Sequence, residues 1–214
     1  MSLGAKIIDQ CSKPSGWLGR VNLLRMNKTH FGLTTWGLTH ISVQPTDTIL
    51  DIGCGGGVTV ARLAAMASAG KVCGIDYSEA SVSVSRKVNA ARISAGQVEI
   101  LYGSVSHLPF PNCTFDIVSA VETHYYWPNL VEDFKEALRV LKPRGAFILV
   151  AEAYKGGKYD EYLQKLEKLP GLVPYHHLTI PEHHELSSKA GFSDIEMFEN
   201  YEKGWICGVG RKSN

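Results

Sequence analysis

From Thr48 onward the chain alternates short apolar runs with longer amphipathic stretches, and this alternation leaves few folds open. Thr48–Ile52, Lys71–Asp76, Val98–Tyr102, Phe115–Val121 and residues 146–150 each read as a strand. Between them, residues 58–67, the stretch from an N-cap at Ser78 to about Ile93, and residues 130–141 read as helices. Leu130, Phe134, Leu138 and Leu141 share one helical face, and Lys142-Pro143-Arg144-Gly145 closes that helix. Strands that alternate with helices imply a parallel sheet covered on both faces. Strands that are apolar almost throughout fit such a doubly covered sheet.

The end of the chain departs from this rhythm. Residues 182–189 read as a short helix, and 192–201 and 205–209 as two strands around a turn at Glu202-Lys203-Gly204. The expected fold is therefore α/β: a doubly wound, seven-stranded, mostly parallel sheet with a C-terminal antiparallel hairpin. Residues 1–45, with Trp17, Leu23, Leu33 and Trp36 among their apolar positions, read as an N-terminal helical cap on a single globular unit of residues 46–214. A length of 214 residues, 44% of them apolar, is enough for one sizeable core and hardly enough for two. Residues 153–178, which hold Tyr154, Tyr159, Tyr162 and Tyr175, are long for a connection and predict a lid.

Composition narrows the function. Lys and Arg number 22 against 21 Asp and Glu, so no basic excess marks a nucleic-acid partner. No run approaches the roughly 18–20 apolar residues of a membrane span, so no membrane partner is expected. No secretory stretch opens the chain, and five scattered cysteines without a Cys-x-x-Cys pair fit reduced thiols in a cytoplasmic protein.

The most informative local feature is Asp51-Ile52-Gly53-Cys54-Gly55-Gly56-Gly57, a glycine cluster between a strand and a helix. A ligand lying against the backbone at a strand's carboxyl end excludes Cβ atoms there, and the helix start offers free N–H groups. Asp76 follows 19 residues after Gly57, at the end of the second strand, where a carboxylate can accept from both hydroxyls of a ribose. Together they predict a nucleoside site. A nicotinamide loop would need Gly or Ala where Val58 stands, and no Gly-Lys-Ser/Thr of a phosphate-binding loop occurs.

Residues 49–57 resemble motif I of class I S-adenosylmethionine-dependent methyltransferases. Residues 108–118 resemble the passage before the fourth strand in the small-molecule branch of that family, which includes ubiquinone and menaquinone C-methyltransferases. Residues 136–146 are similar to that branch's helix-to-fifth-strand passage, with Arg144 where Gly is common. The resemblance implies S-adenosylmethionine as cofactor and a residue-by-residue site. Gly53, Cys54 and Gly55 would pass under the methionine part, and Asp51 would orient its amino group. Asp76 would hold the ribose, with Tyr77 against the adenine. Gly103, Ser104 and Val105 would flank the base, Ser104 standing where relatives often carry Asp. Val121 would close the fourth strand beside the cofactor.

Methyl transfer from a sulfonium needs alignment and a dry site more than acid–base help. The loop Glu122-Thr123-His124-Tyr125-Tyr126-Trp127-Pro128 follows the fourth strand and should face the sulfonium. His124 is the candidate base there. Glu122, Tyr125 and Tyr126, with Met26, Asn27, His30 and Trp36 from the cap, are candidates for the acceptor pocket. The adjacent pairs His176-His177 and His183-His184 point apart on any regular element, so no metal site is expected. The expected partner is a small-molecule acceptor methylated at O, N or C, with the protein a monomer or homodimer. Two rivals stand: transfer to RNA or a protein side chain, and a non-catalytic cofactor-binding subunit.

Overall fold

The computed structural model describes residues 10–167 and 176–214. Seven strands, β1 (Thr48–Ile52), β2 (Lys71–Asp76), β3 (Val98–Tyr102), β4 (Phe115–Val121), β5 (Leu141–Glu152), β6 (Ser193–Asn200) and β7 (Trp205–Arg211), form one sheet in the order β3-β2-β1-β4-β5-β7-β6. β1 to β5 pair in parallel, and β7 runs antiparallel to both β5 and β6. This is the architecture that the strand–helix alternation predicts.

Besides a helical turn at residues 10–12, eight helices accompany the sheet among the described residues: α1 (Gly16–Thr29), α2 (Phe31–Leu38), α3 (Val58–Met66), α4 (Glu79–Val88), α5 (Ala90–Ser94), α6 (Leu130–Val140), α7 (Asp160–Glu167) and α8 (Ile180–Ala190). The two-residue strand period sends alternate side chains to opposite faces. Leu50 and Ile52 of β1, with Phe147 and Leu149 of β5, meet Phe134 and Ala137 of α6 and Leu186 of α8. Ile49, Ile148 and Val150 face the other way, onto Leu33 and Leu38 of α2 and Val60 and Leu63 of α3. Each fully buried Leu, Ile or Phe contributes about 1.5–3 kcal/mol relative to exposure.

Four local departures have physical causes. The helix expected from Ser78 to about Ile93 breaks at Asn89, whose Nδ2 donates to Gly57 O (2.9 Å) and Ser85 O (3.0 Å). These two bonds of the buried Asn89 N–H₂ group outweigh an unbroken helix, which resumes at Ala90. The last helix starts at Ile180, two residues earlier than its apolar pattern suggests, because Thr179 and Glu182 form a capping box. β5 begins directly after α6, and the expected turn at Lys142–Gly145 is instead the irregular start of that strand, with Arg144 at φ +64°. Within the expected lid, residues 160–167 form α7. Tyr175 of that segment lies outside the described residues.

The strand order reverses between β1 and β4: from β1 the chain moves outward through β2 and β3, then returns to β4 on the other side. Open α/β sheets bind ligands in the crevice that this reversal leaves at the strands' carboxyl ends.

Candidate active site

A cleft of about 760 Å³ opens at that reversal, and a second lobe of about 460 Å³ adjoins it. Both are lined by Gly53, Asp76, Tyr77, Thr123 and Tyr126. The second lobe adds Ile52, Ile75, Gly103, Ser104, Val105 and Trp127, a largely apolar lining. The first lobe runs from the glycine loop to Met26, Asn27, His30, Val121 and Glu122.

The β1–β2 wall is held by the backbone. Gly53 N and Cys54 N both donate to Ile75 O, at 2.8 and 3.1 Å, clamping the loop onto β2. The Asp76 carboxylate accepts from Gly55 N and Ser78 N, each at 2.9 Å. Each carboxylate oxygen retains a second lone pair. Gly53 and Gly55 lie at φ +70° and +50°, where a side chain is strained. A Cβ on Gly53 would run into Thr123 Oγ1, whereas one on Gly55 would meet nothing nearer than 3.9 Å and would project into the cleft. Asp51 is buried, accepts from Ser119 Oγ at 2.6 Å, and its carboxyl is pushed up to about 7, chiefly by burial. Burial likewise raises the Cys54 thiol well above its ordinary range, so Cys54 contributes its backbone and not a thiolate.

Helix α1 and the residues before it close the cleft. Asn27 Nδ2 donates to Gly56 O (3.2 Å), Ser78 Oγ to Pro14 O (2.6 Å), and the Tyr77 hydroxyl to Ser12 O. Tyr77 is thus fixed across both lobes.

The β4 wall is built of side chains. Glu122 lies one residue beyond β4 at φ +57°, a conformation that an L-residue holds only under tertiary constraint. Its Oε1 accepts from Glu152 N at 2.5 Å, and the Tyr125 hydroxyl bonds it from behind. His30, between α1 and α2, brings Nε2 to 3.9 Å from Glu122 Oε2. Burial, then the nearby Glu152, push the Glu122 carboxyl up to about 8. Burial, then Arg25, pull the His30 imidazole down to about 4, so this pair is a neutral imidazole beside a carboxyl and not an ion pair. Among the described residues, His30, Glu122 and Glu152 are the one group of three potential metal donors, their ligand atoms within 4.8 Å of one another.

The structure brings together Met26, Asp51, Gly53, Cys54, Gly55, Asp76, Tyr77, His30, Val121, Glu122 and Tyr126 in the first lobe, and Gly103, Ser104 and Val105 in the second. Three expected residues lie elsewhere. His124 is buried away from the cleft, with Nε2 at 3.0 Å from His183 Nε2. His183 Nδ1 sits 2.8 Å from Thr179 O, which must accept, so His183 Nε2 is the acceptor and His124 Nε2 the donor. Burial pulls His124 well below its ordinary range, its remaining Nδ1 is buried without a hydrogen-bond partner, and the residue lines neither lobe. His124 is therefore not placed to act as a base. Trp36 packs edge-on to His40 and against Trp205, with centroids 4.9 and 6.0 Å away. Tyr125 supports Glu122 from the far side, beside His177. The sequence reading missed Ser12, Pro14, Thr34 and Arg62, which also line the first lobe. They sit in no motif, and only tertiary packing places them there.

Known proteins resemble this chain in both sequence and fold. A methyltransferase-domain family profile matches residues 50–149. Residues 50–149 thus carry a methyltransferase domain. Over 110 residues the chain is 39% identical to a demethylmenaquinone methyltransferase of Bacillus cereus, covering 50% of this chain and 46% of that protein. The chain thus spans less than half the length of the curated relatives it matches. In fold it is similar to a chain of the Haloferax volcanii Trm112 methyltransferase activator complex, with TM-score 0.77, 21% identity, and 90% and 94% of the two chains covered. It is also similar to human N-acetylserotonin methyltransferase in complex with S-adenosylmethionine, with TM-score 0.74, 16% identity, and 92% and 56% covered.

S-adenosylmethionine is the cofactor of this domain, and the cleft fits it. Gly55 leaves open the space a Cβ would fill, Asp76 lines both lobes with its carboxylate, and Ile75 and Val105 line the adjoining lobe. The Ser104 hydroxyl at the rim of the second lobe already accepts from Ser106 N at 3.3 Å.

Proposed function

We propose that this chain transfers a methyl group from S-adenosylmethionine to a small-molecule acceptor seated between His30, Glu122 and Tyr126. S-adenosylmethionine, when bound, supplies an electrophilic methyl group. The loop at Gly53–Gly55 and Asp76 hold and orient it, while Met26, Leu23 and Tyr126 exclude water from the path of attack. The single observation that carries the acceptor reading is Glu122: a buried carboxyl poised near 8 in the first lobe. It is the group able to take a proton from an acceptor O–H, N–H or activated C–H near neutral pH. His30, neutral and beside it, orients the acceptor by a hydrogen bond. In this reading residues up to 45 serve as a cap on the unit formed by 46–214. The demethylmenaquinone methyltransferase relatives support an aromatic, hydroxylated acceptor, and the absence of a basic excess counts against RNA.

The test is release of S-adenosylhomocysteine with panels of hydroxylated aromatics and quinols, small amines, RNA and peptides. Turnover with a small molecule, and none with RNA or peptides, is expected. Turnover confined to RNA or peptides would overturn the proposal. A second reading comes from the activator complex among the structural neighbours: a chain that needs a bound protein partner for turnover. Cofactor binding without turnover on any panel would favour it.

A further inference from the structure

Helix α1 is apolar on two sides. Leu23 is buried inward and Met26 lines the cleft, as a packed helix requires. The outward side carries Trp17, Leu18, Val21 and Leu24 at 74%, 64%, 48% and 55% exposure. Trp17, Val21 and Leu24 follow the i, i+4, i+7 spacing of one helical stripe. Arg20 and Arg25 flank the stripe on either side, and Lys28 continues it at the C-terminal end. Isolated exposed apolar side chains are ordinary, but an ordered stripe headed by an exposed Trp is not.

Charge points to the occupant. Residues 10–46 carry four basic residues and no acidic one, in a chain whose remainder has 18 basic against 21 acidic. The near-neutral total hides this asymmetry. A Trp and Leu stripe between arginines suits a bilayer surface: the indole sits at headgroup level, the aliphatic groups enter the acyl boundary, and the long cations reach lipid phosphates.

We propose that the outer face of α1 docks this chain on an anionic membrane surface. The inner face of the same helix lines the cleft, so docking presents the acceptor end to molecules held in the bilayer. This part rests on the small-molecule reading above and narrows it to a lipophilic acceptor. The expectation of no membrane partner came from the lack of a spanning run. Among the described residues no helix is long and apolar enough to cross a membrane, but surface docking needs no such helix.

The test is co-sedimentation of the full chain with vesicles of phosphatidylcholine alone, and of phosphatidylcholine mixed with phosphatidylglycerol, at low and high salt. Binding to the anionic vesicles should be at least about tenfold tighter and should weaken with salt. The double variants Trp17→Ser with Leu24→Ser, and Arg20→Glu with Lys28→Glu, should each lose about tenfold or more. Both change exposed positions, so each should keep the thermal shift caused by S-adenosylhomocysteine. That shift separates the two readings: its retention without vesicle binding overturns the docking proposal alone. Equal binding to both vesicle types, or a dimer that the Trp17→Ser change dissolves in a chain that ignores vesicles, would also overturn it.

Discussion

At the β1–β2 end the cleft is walled by main chain and one carboxylate; at the β4 end it is walled by side chains from separate elements. The first end is fixed by the clamp of Gly53 N and Cys54 N on Ile75 O and by Asp76 spanning Gly55 and Ser78. The second gathers His30 from the α1–α2 junction, Glu122 from beyond β4 and Glu152 from β5. On the proposed function, a common cofactor at the first end asks for glycines and little else, and a particular acceptor at the second asks for titratable side chains held by strained backbone.

Substitutions should separate the two ends. The largest effect is expected at Gly55→Ala: the added Cβ meets nothing nearer than 3.9 Å and costs only the strain of a side chain at φ +50°, about 1–2 kcal/mol, so the chain stays folded while calorimetry shows S-adenosylhomocysteine affinity reduced by roughly 100-fold or more. Retained affinity would break the claim that the backbone contacts the cofactor there. Glu122→Gln should do the reverse. Cofactor affinity stays within about twofold, turnover falls by about 10²-fold, and the rise of rate as pH approaches 8 disappears. Loss of cofactor affinity instead would place Glu122 at the cofactor and not the acceptor.

The same carboxyl sharpens the contrast through stability. Its folded pKa, about 8, is raised above the ordinary 4.5, so the stability it contributes is full below 4.5 and is lost as pH rises through 8. His30, lowered to about 4, acts only below its ordinary 6.5, where its contribution is lost as pH falls. Between pH 6.5 and 8 the cofactor-free chain should therefore lose roughly 1–2 kcal/mol from Glu122, with Asp51, poised near 7, acting in the same direction. Denaturant titrations should show a shallower slope for Glu122→Gln. The smallest effect is expected at Ser104→Ala, less than about threefold in cofactor affinity, because an exposed hydroxyl already engaged by Ser106 N adds little to base recognition.

The two ends also differ in how far the sequence reveals them. Strand period, the glycine loop and the spacing to Asp76 are local, so the sheet and the β1–β2 wall could be read directly. His124 and Trp36 could not. His124 stands in a short 3-10 turn, where side-chain direction follows neither strand nor helix period, and it turned inward to His183. Trp36 lies on a helix apolar nearly all round, so either face could have met the cleft. The approach of Glu122 to Glu152 is a contact 30 residues apart with no local signature. The near-neutral total charge likewise concealed the basic bias around α1.

The central claim is that this cleft holds a sulfur nucleoside, and ligand-dependent thermal stability tests it most directly. A ligand at about 100 times its Kd adds roughly 2.7 kcal/mol, a shift of about 5–10 °C for a chain of this size. The account predicts that shift with S-adenosylmethionine and with S-adenosylhomocysteine, and none with NAD or ATP. A shift with NAD alone, or with none of the four, would contradict it.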